Sequence, residues 1–200
     1  GNSNLMLESA WKTNNWEKVK SLFSFPSVIA SLEEGEPLTK MTEIYLAIHE
    51  GNLEEVENLH AQTAQLCLHQ WKLLPSIGMQ SNSHNSLFQQ FQRLVELRET
   101  SQIMVETSSH SARRTIPDLK LLLGSWRHRL PNSFERVSDW NDIFLWRCQI
   151  FDAIASKFSW ADPSTVTTLH DRPFACISVG RAARKQGLKE VAAFSLNSLT

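Results

Sequence analysis

Three side chains in one stretch, His60, Cys67 and His69, are of the types that bind a transition metal. In a helix, a separation of seven places puts His60 and Cys67 on one face, two turns apart, while His69 points elsewhere. A closed zinc site needs four ligands, and no second His/Cys cluster supplies the rest. The pattern therefore reads as structure, with Cys67 a small core residue and His69 facing solvent. Covalent catalysis fares no better. A Ser or Cys nucleophile needs a base within hydrogen-bonding reach, and no elbow glycines or local motif surround any Ser, Cys or His. A phosphate loop is also missing, since Gly180 and Gly187 sit in or at the end of a helical pattern and Gly124 lies within an apolar one. The sequence thus assigns no catalytic, cofactor-binding or metal residue, and its reading is that the segment is not an enzyme and carries no cofactor.

Two basic groups remain. Arg181, Arg184, Lys185 and Lys189 are the best anion-binding candidates. Their stronger reading is that cations near a helix C-terminus satisfy the last carbonyls and the dipole. Arg127 and Arg129 flank Trp126, where they can stack on aromatic rings or lay their stems over a groove between helices. Both arrangements are structural.

The elements that would carry these residues are helices. Leu53, Val56, His60, Ala64, Cys67, Trp71 and Leu74 recur at steps of three and four and predict a long helix that stops near Pro75. Trp140, Ile143, Phe144, Arg147, Ile150, Phe151, Ile154 and Phe158 predict a second, with Ser138 or Asp139 as its N-cap. Between them, Leu87, Phe88, Phe91, Leu94 and Val95 mark a helix from about His84 to Thr107, and Thr115-Ile116-Pro117-Asp118 reads as the start of another that ends at Pro131. Turn composition is expected at Ser31 to Pro37, Thr107 to Arg114 and Ala161 to Thr168. No useful strand alternation occurs.

Composition narrows the class. The 200 residues are 42% hydrophobic, enough for a sizeable core, and 20 Lys plus Arg against 21 Asp plus Glu give a net charge of -1. That balance offers no field to draw nucleic acid or an anionic membrane. Cys67, Cys148 and Cys176 are odd in number and scattered through apolar patterns, which fits a reducing compartment better than a disulfide framework. No apolar run approaches the roughly 18 residues that cross a bilayer. Seven Trp and ten Phe against one Tyr make an aromatic set suited to wedging between helices. The first residue is Gly rather than Met, and the helical pattern continues almost to Thr200, so the chain is expected to be a piece of a longer protein.

A hinge recurs. Ala10, Ala47 and Ala182 are each followed six places later by Trp16, Leu53 and Leu188, and three places further by Val19, Val56 and Val191, with Asn15, Asn52 or Gly187 just before the large apolar residue. A small residue, a tight turn and an apolar pair describe a helix-turn-helix hairpin. Ala10 and Ala47 are 37 positions apart, near the period of TPR-like and HEAT-like repeats. The predicted fold is all-α, an α-solenoid of TPR/HEAT-like helical hairpins occupying residues 1–200 as one continuous segment.

Three stretches in order, Ser125-Trp126-Arg127-His128-Arg129-Leu130-Pro131, Asp139-Trp140-Asn141-Asp142-Ile143-Phe144-Leu145-Trp146-Arg147 and Gly180-Arg181-Ala182-Ala183-Arg184-Lys185-Gln186-Gly187-Leu188, resemble the transformation/transcription domain-associated protein family. Glu8-Ser9-Ala10-Trp11 with Trp16, and Gln70-Trp71-Lys72-Leu73-Leu74-Pro75, fit the same region in the same order. The loops at Ser76 to His84 and Thr107 to Arg114 match nothing in that pattern, and Ser159 to Thr168 departs from it. The resemblance implies a FAT domain segment, part of the helical collar around the kinase-like domain of PI3-kinase-related proteins. In this branch it implies a pseudokinase scaffold, nuclear, whose partners are transcription activators and subunits of SAGA-type histone acetyltransferase complexes, acting in transcription and DNA repair. It carries no catalytic or ligand residue onto this segment, and the residues that contact other proteins stay unknown. Two other readings remain open: the FAT domain of an active PI3-kinase-related protein kinase, whose catalytic-loop Asp and Asn and metal-binding Asp would lie elsewhere in the parent, and a generic peptide-binding helical-repeat protein.

Overall fold

Left-handed backbone occurs at three points among the described residues, Asn14 (φ 55°), Gly51 (φ 80°) and Gly187 (φ 78°), and each closes a helix so that the chain can turn back. The same bond recurs behind each: the next residue's N–H reaches a carbonyl five places back, Asn15 to Ala10, Asn52 to Ala47 and Leu188 to Ala183, all at 2.9 Å. This is the Schellman closure, which glycine adopts without steric cost. Asn15 and Asn52 then cap the following helices, their side-chain oxygens accepting from the N–H groups of Lys18 (3.0 Å) and Glu55 (3.3 Å).

These turns join helices in a computed structural model that describes residues 2–32, 36–75, 82–108, 112–132, 135–157 and 172–197. The chain is all-α, built of solenoid-type helical hairpins, with no strand among the described residues. Contacts divide it into two units, Gly1–Ala112 and Arg113–Thr200. The first holds α1 (Asn2–Lys12), α2 (Trp16–Ser24), α3 (Pro26–Ser31), α4 (Pro37–Glu50), α5 (Leu53–Leu73) and α6 (Asn82–Ser108). The second holds α7 (Ala112–His128), α8 (Val137–Lys157), α9 (Arg172–Lys185) and α10 (Lys189–Asn197).

In the first unit α4 packs on α5, α6 lies against both, and α1 touches α2 and α4. Trp11, Met41, Ile44, Tyr45, Val56 and Leu97 are almost fully buried, and Trp16 stacks on Tyr45 with ring centroids 4.0 Å apart and planes 7° from parallel. Buried Thr42, Thr63 and Thr100 each turn the hydroxyl back to the carbonyl four residues earlier, which satisfies a polar group that burial would otherwise penalise. The α5 stripe holds, with Val56 and Cys67 buried and Ala64 and Trp71 half-buried, and Leu59 and Thr63 broaden it. In the second unit α9 packs on α10 and α8.

Several expected boundaries move. The third hinge lies one residue later than the sequence repeat suggests: Gly187 is equivalent to Asn14 and Gly51, so Ala183 and Ala192, not Ala182 and Val191, match Ala10/Ala47 and Val19/Val56. Ala192 is 7% exposed where Val191 is 40% exposed, which fits that register. Helix α8 opens at Val137, placing Ser138 and Asp139 in its first turn; the Arg136 carbonyl accepts from the Asp139 and Trp140 N–H groups instead. Helix α7 starts at Ala112 and ends at His128, so Pro117 is internal, costing one ladder bond that the flanking helix tolerates. Thr107 belongs to α6 and Arg114 to α7, which leaves only 109–111 of that expected turn, outside the described residues. Residues 33–35, the expected turn Ala161 to Thr168, and Phe158 also lie outside them.

Candidate functional site

His60, Cys67 and His69 do not assemble. The His60 imidazole is half-buried and its Nε2–H donates to the Leu94 carbonyl of α6 at 3.2 Å, a bond between helices. Desolvation holds its pKa below the ordinary histidine value, and the hydrogen bond to Leu94 opposes that shift. Cys67 is fully buried and desolvation pushes its thiol up to about 11, the mark of an inert core cysteine. His69 is exposed. No group of three or more His, Cys, Asp or Glu placed to hold a metal occurs among the described residues.

The basic run divides as well. Arg184 and Lys185 occupy the last turn of α9, where a cation complements the dipole, whereas Lys189 opens α10. All four cations, Arg181 included, are exposed.

The three main stretches that carry the family resemblance, 125–131, 139–147 and 180–188, meet inside the second unit. Trp126, at the end of α7, is 2% exposed, and its ring lies 5.5 Å from that of Phe151. Arg147 of α8 places its guanidinium 5.6 Å from the Trp126 ring centroid and donates to the Arg129 carbonyl at 2.7 Å, although it is only 5% exposed. A buried cation of this kind persists because a ring face and an orphan helix-end carbonyl receive it. Arg127 covers the Phe174 ring at 5.3 Å. Trp140 donates its indole N–H to the Asn132 carbonyl at 3.3 Å and packs with Val179 and Ala182, beside Leu130 and Phe144. The Gln186 amide donates to the Glu135 carbonyl. All three stretches therefore contribute to one packed core. The sequence stripe found Arg147 but not its role, and it missed Trp146 and Gln149, both buried, because α8 is covered on more than one face.

A concave surface lies among the described residues of the second unit. Helices α8, α9 and α10 enclose an open trough of about 540 Å³, lined by Leu145 and Cys148, by Cys176 and Val179, and by Val191 and Phe194. No charged side chain lines it, and its polar lining is limited to Ser138, Asn141 and Ser195. Phe194 is 77% exposed. The lining is mostly apolar, with two thiols and three neutral polar side chains and no charged group beside them.

Repeated hairpins with their family stretches locked into the core define a helical-repeat protein, and residues 3–200 match the FAT domain family, to which the chain belongs. Among its relatives, it is 32% identical to "Transformation/transcription domain-associated protein" of Mus musculus over 96% of this chain and 8% of that sequence. It is 28% identical to "Transcription-associated protein 1" of Drosophila melanogaster over 98% of this chain and 5% of the relative. Against "SAGA complex/NuA4 acetyltransferase complex subunit TRA1" of Saccharomyces cerevisiae, identity is 28% over 79% of this chain and 4% of the relative. The chain thus spans less than a tenth of the length of these relatives. No described helix is long and apolar enough to cross a membrane.

Proposed function

We propose that these 200 residues are one continuous helical-repeat segment of a much larger, nuclear, catalytically inactive PI3-kinase-related scaffold. In this reading the parent receives transcription activators and holds a histone acetyltransferase complex together without binding nucleic acid through this segment. The observation that supports it most is where the diagnostic stretches go: Trp126, Trp140 and Arg147 are all buried in the packing of the second unit. The named relatives include a SAGA and NuA4 acetyltransferase complex subunit, which supplies the class of assembly. The physical task of such a segment is rigid spacing and surface, which stacked hairpins provide.

The test is affinity purification of the tagged full-length parent from nuclear extract at moderate salt, followed by mass spectrometry of what stays bound. Acetyltransferase and adaptor subunits are expected. A small set of kinase cofactors without acetyltransferase subunits would overturn the reading in favour of an active kinase.

A further inference from the structure

The shared hinge gives a residue-by-residue register between hairpins, and the trough stands out in it. Counting from Gly51 and Gly187, Cys176 and Val179 of α9 occupy the places of Lys40 and Glu43 of α4. Val191 and Phe194 of α10 occupy those of Glu55 and Asn58 of α5. In the α4–α5 hairpin this face is polar: Lys40 and Glu43 form a partly exposed ion pair at 2.7 Å, and Glu55 and Asn58 are exposed. In the α1–α2 hairpin, counted from Asn14, the last two positions are exposed Lys18 and Ser21. Counted the same way, α1 carries Ser3 and the exposed Met6 at the first two places, so among the described hairpins only α9–α10 makes all four places apolar, and it does so beside apolar residues of α8.

We infer that this trough is the seat of an amphipathic α-helix supplied by the rest of the full-length polypeptide. The inference rests on the reading that the chain is one segment of a larger scaffold. Helical walls on either side and a strip of apolar side chains one turn apart, Val191 and Phe194 on α10 and Cys176 and Val179 on α9, present ridges and grooves of the kind another helix fills. The uncharged lining distinguishes a permanent occupant from an exchanging one, since interfaces that come and go keep polar and charged groups that hold up in water, while permanent ones resemble a domain core. More than nine-tenths of the length of the relatives lies outside this segment, so a tethered helix of the same chain competes at high effective concentration against any free partner.

Cys148 and Cys176 line the trough and report its occupancy. The experiment is maleimide labelling of the full-length protein, salt-washed free of other subunits, with buried Cys67 as internal reference. One variant is compared with wild type, Val191→Glu with Phe194→Asn, which installs the residues that α5 carries at these places. Phe194 is 77% and Val191 40% exposed in the segment and neither belongs to its buried core, so the variant leaves its helix content intact by circular dichroism. The expected result is that Cys148 and Cys176 label as slowly as Cys67 in wild type and about tenfold or more faster in the variant, with Cys67 unchanged. Fast labelling in wild type with no effect of the variant overturns the inference. Protection seen only while other subunits remain bound also overturns it, by giving the seat to another protein. Neither result bears on which subunits co-purify, so failure of the scaffold reading would be seen separately.

Discussion

The α4–α5 and α9–α10 hairpins turn on the same backbone and differ in almost everything attached to it. Gly51 and Gly187 have φ of 80° and 78°, and the bond that closes each helix is 2.9 Å in both. Yet Asn52 caps α5 through its side chain while Leu188, in the same place, has no group to do so, and the outer face is an ion pair in one and apolar in the other. The lesson is that the glycine defines the turn, while the cap and the outer face are free to serve other ends.

The largest effect should separate the supports of the two hairpins. Trp140→Ala, which removes a ring packed on Val179 and Ala182 of α9, should lower stability by about 3–5 kcal/mol in urea unfolding. Trp71→Ala, on the half-buried end of α5 where the ring meets Phe88 edge-on at 5.3 Å, should cost about half as much or less. Equal losses would show that the two supports carry the same load. Next, Gly51→Ala and Gly187→Ala should each cost about 1–2 kcal/mol, because an L side chain is strained in left-handed backbone. The two losses should match, since a Cβ at Gly187 meets nothing within 4 Å and the cost is conformational. A large difference between them would break the equivalence of the hinges.

The caps sharpen the contrast. Asn52→Ala should cost roughly 1 kcal/mol, and Leu188→Asn should stabilise the α9–α10 hairpin by up to about that amount, both read as shifts in urea midpoint at constant slope. The smallest effect is a pH dependence confined to the first unit. His60 has a folded pKa below its unfolded value, so the unfolded chain takes up the proton first. Its contribution is complete above the unfolded pKa and is lost as pH falls through the folded one. The urea midpoint should therefore decline on acidification below about pH 6.5, and His60→Gln should flatten that slope.

Helix existence was legible because burial imposes a period: the stripes through Val56 and Cys67 and through Ile143, Ile150 and Ile154 are buried as their spacing requires. Boundaries were less so. Ser138 is a good cap residue inside a helix because the Arg136 carbonyl already receives the first N–H groups, and Pro117 is a helix opener placed five residues in. The third hinge was misread by one place because Leu188 and Val191 mimic the apolar pair of the other copies, whereas the left-handed glycine sets the true register. The convergence of Trp126, Trp140, Arg147 and Ala182 lies beyond any local pattern, since it joins positions far apart in the chain. The trough was hidden for a related reason, needing three helices and the corrected register to appear.

Arg147 counts as one of twenty cations in the sequence, but the solvent does not see it as one. Its charge is held between the Trp126 ring and the Arg129 carbonyl, inside a space that mobile ions do not enter. Screening by salt acts over about 8–10 Å of water at physiological ionic strength and much less through a packed interior. The exposed cations of α9, Arg181, Arg184 and Lys185, will fade from view as salt rises, while the grip of Arg147 on the end of α7 stays. A high-salt wash strong enough to strip loosely held proteins from the surface will thus leave this junction of the second unit intact.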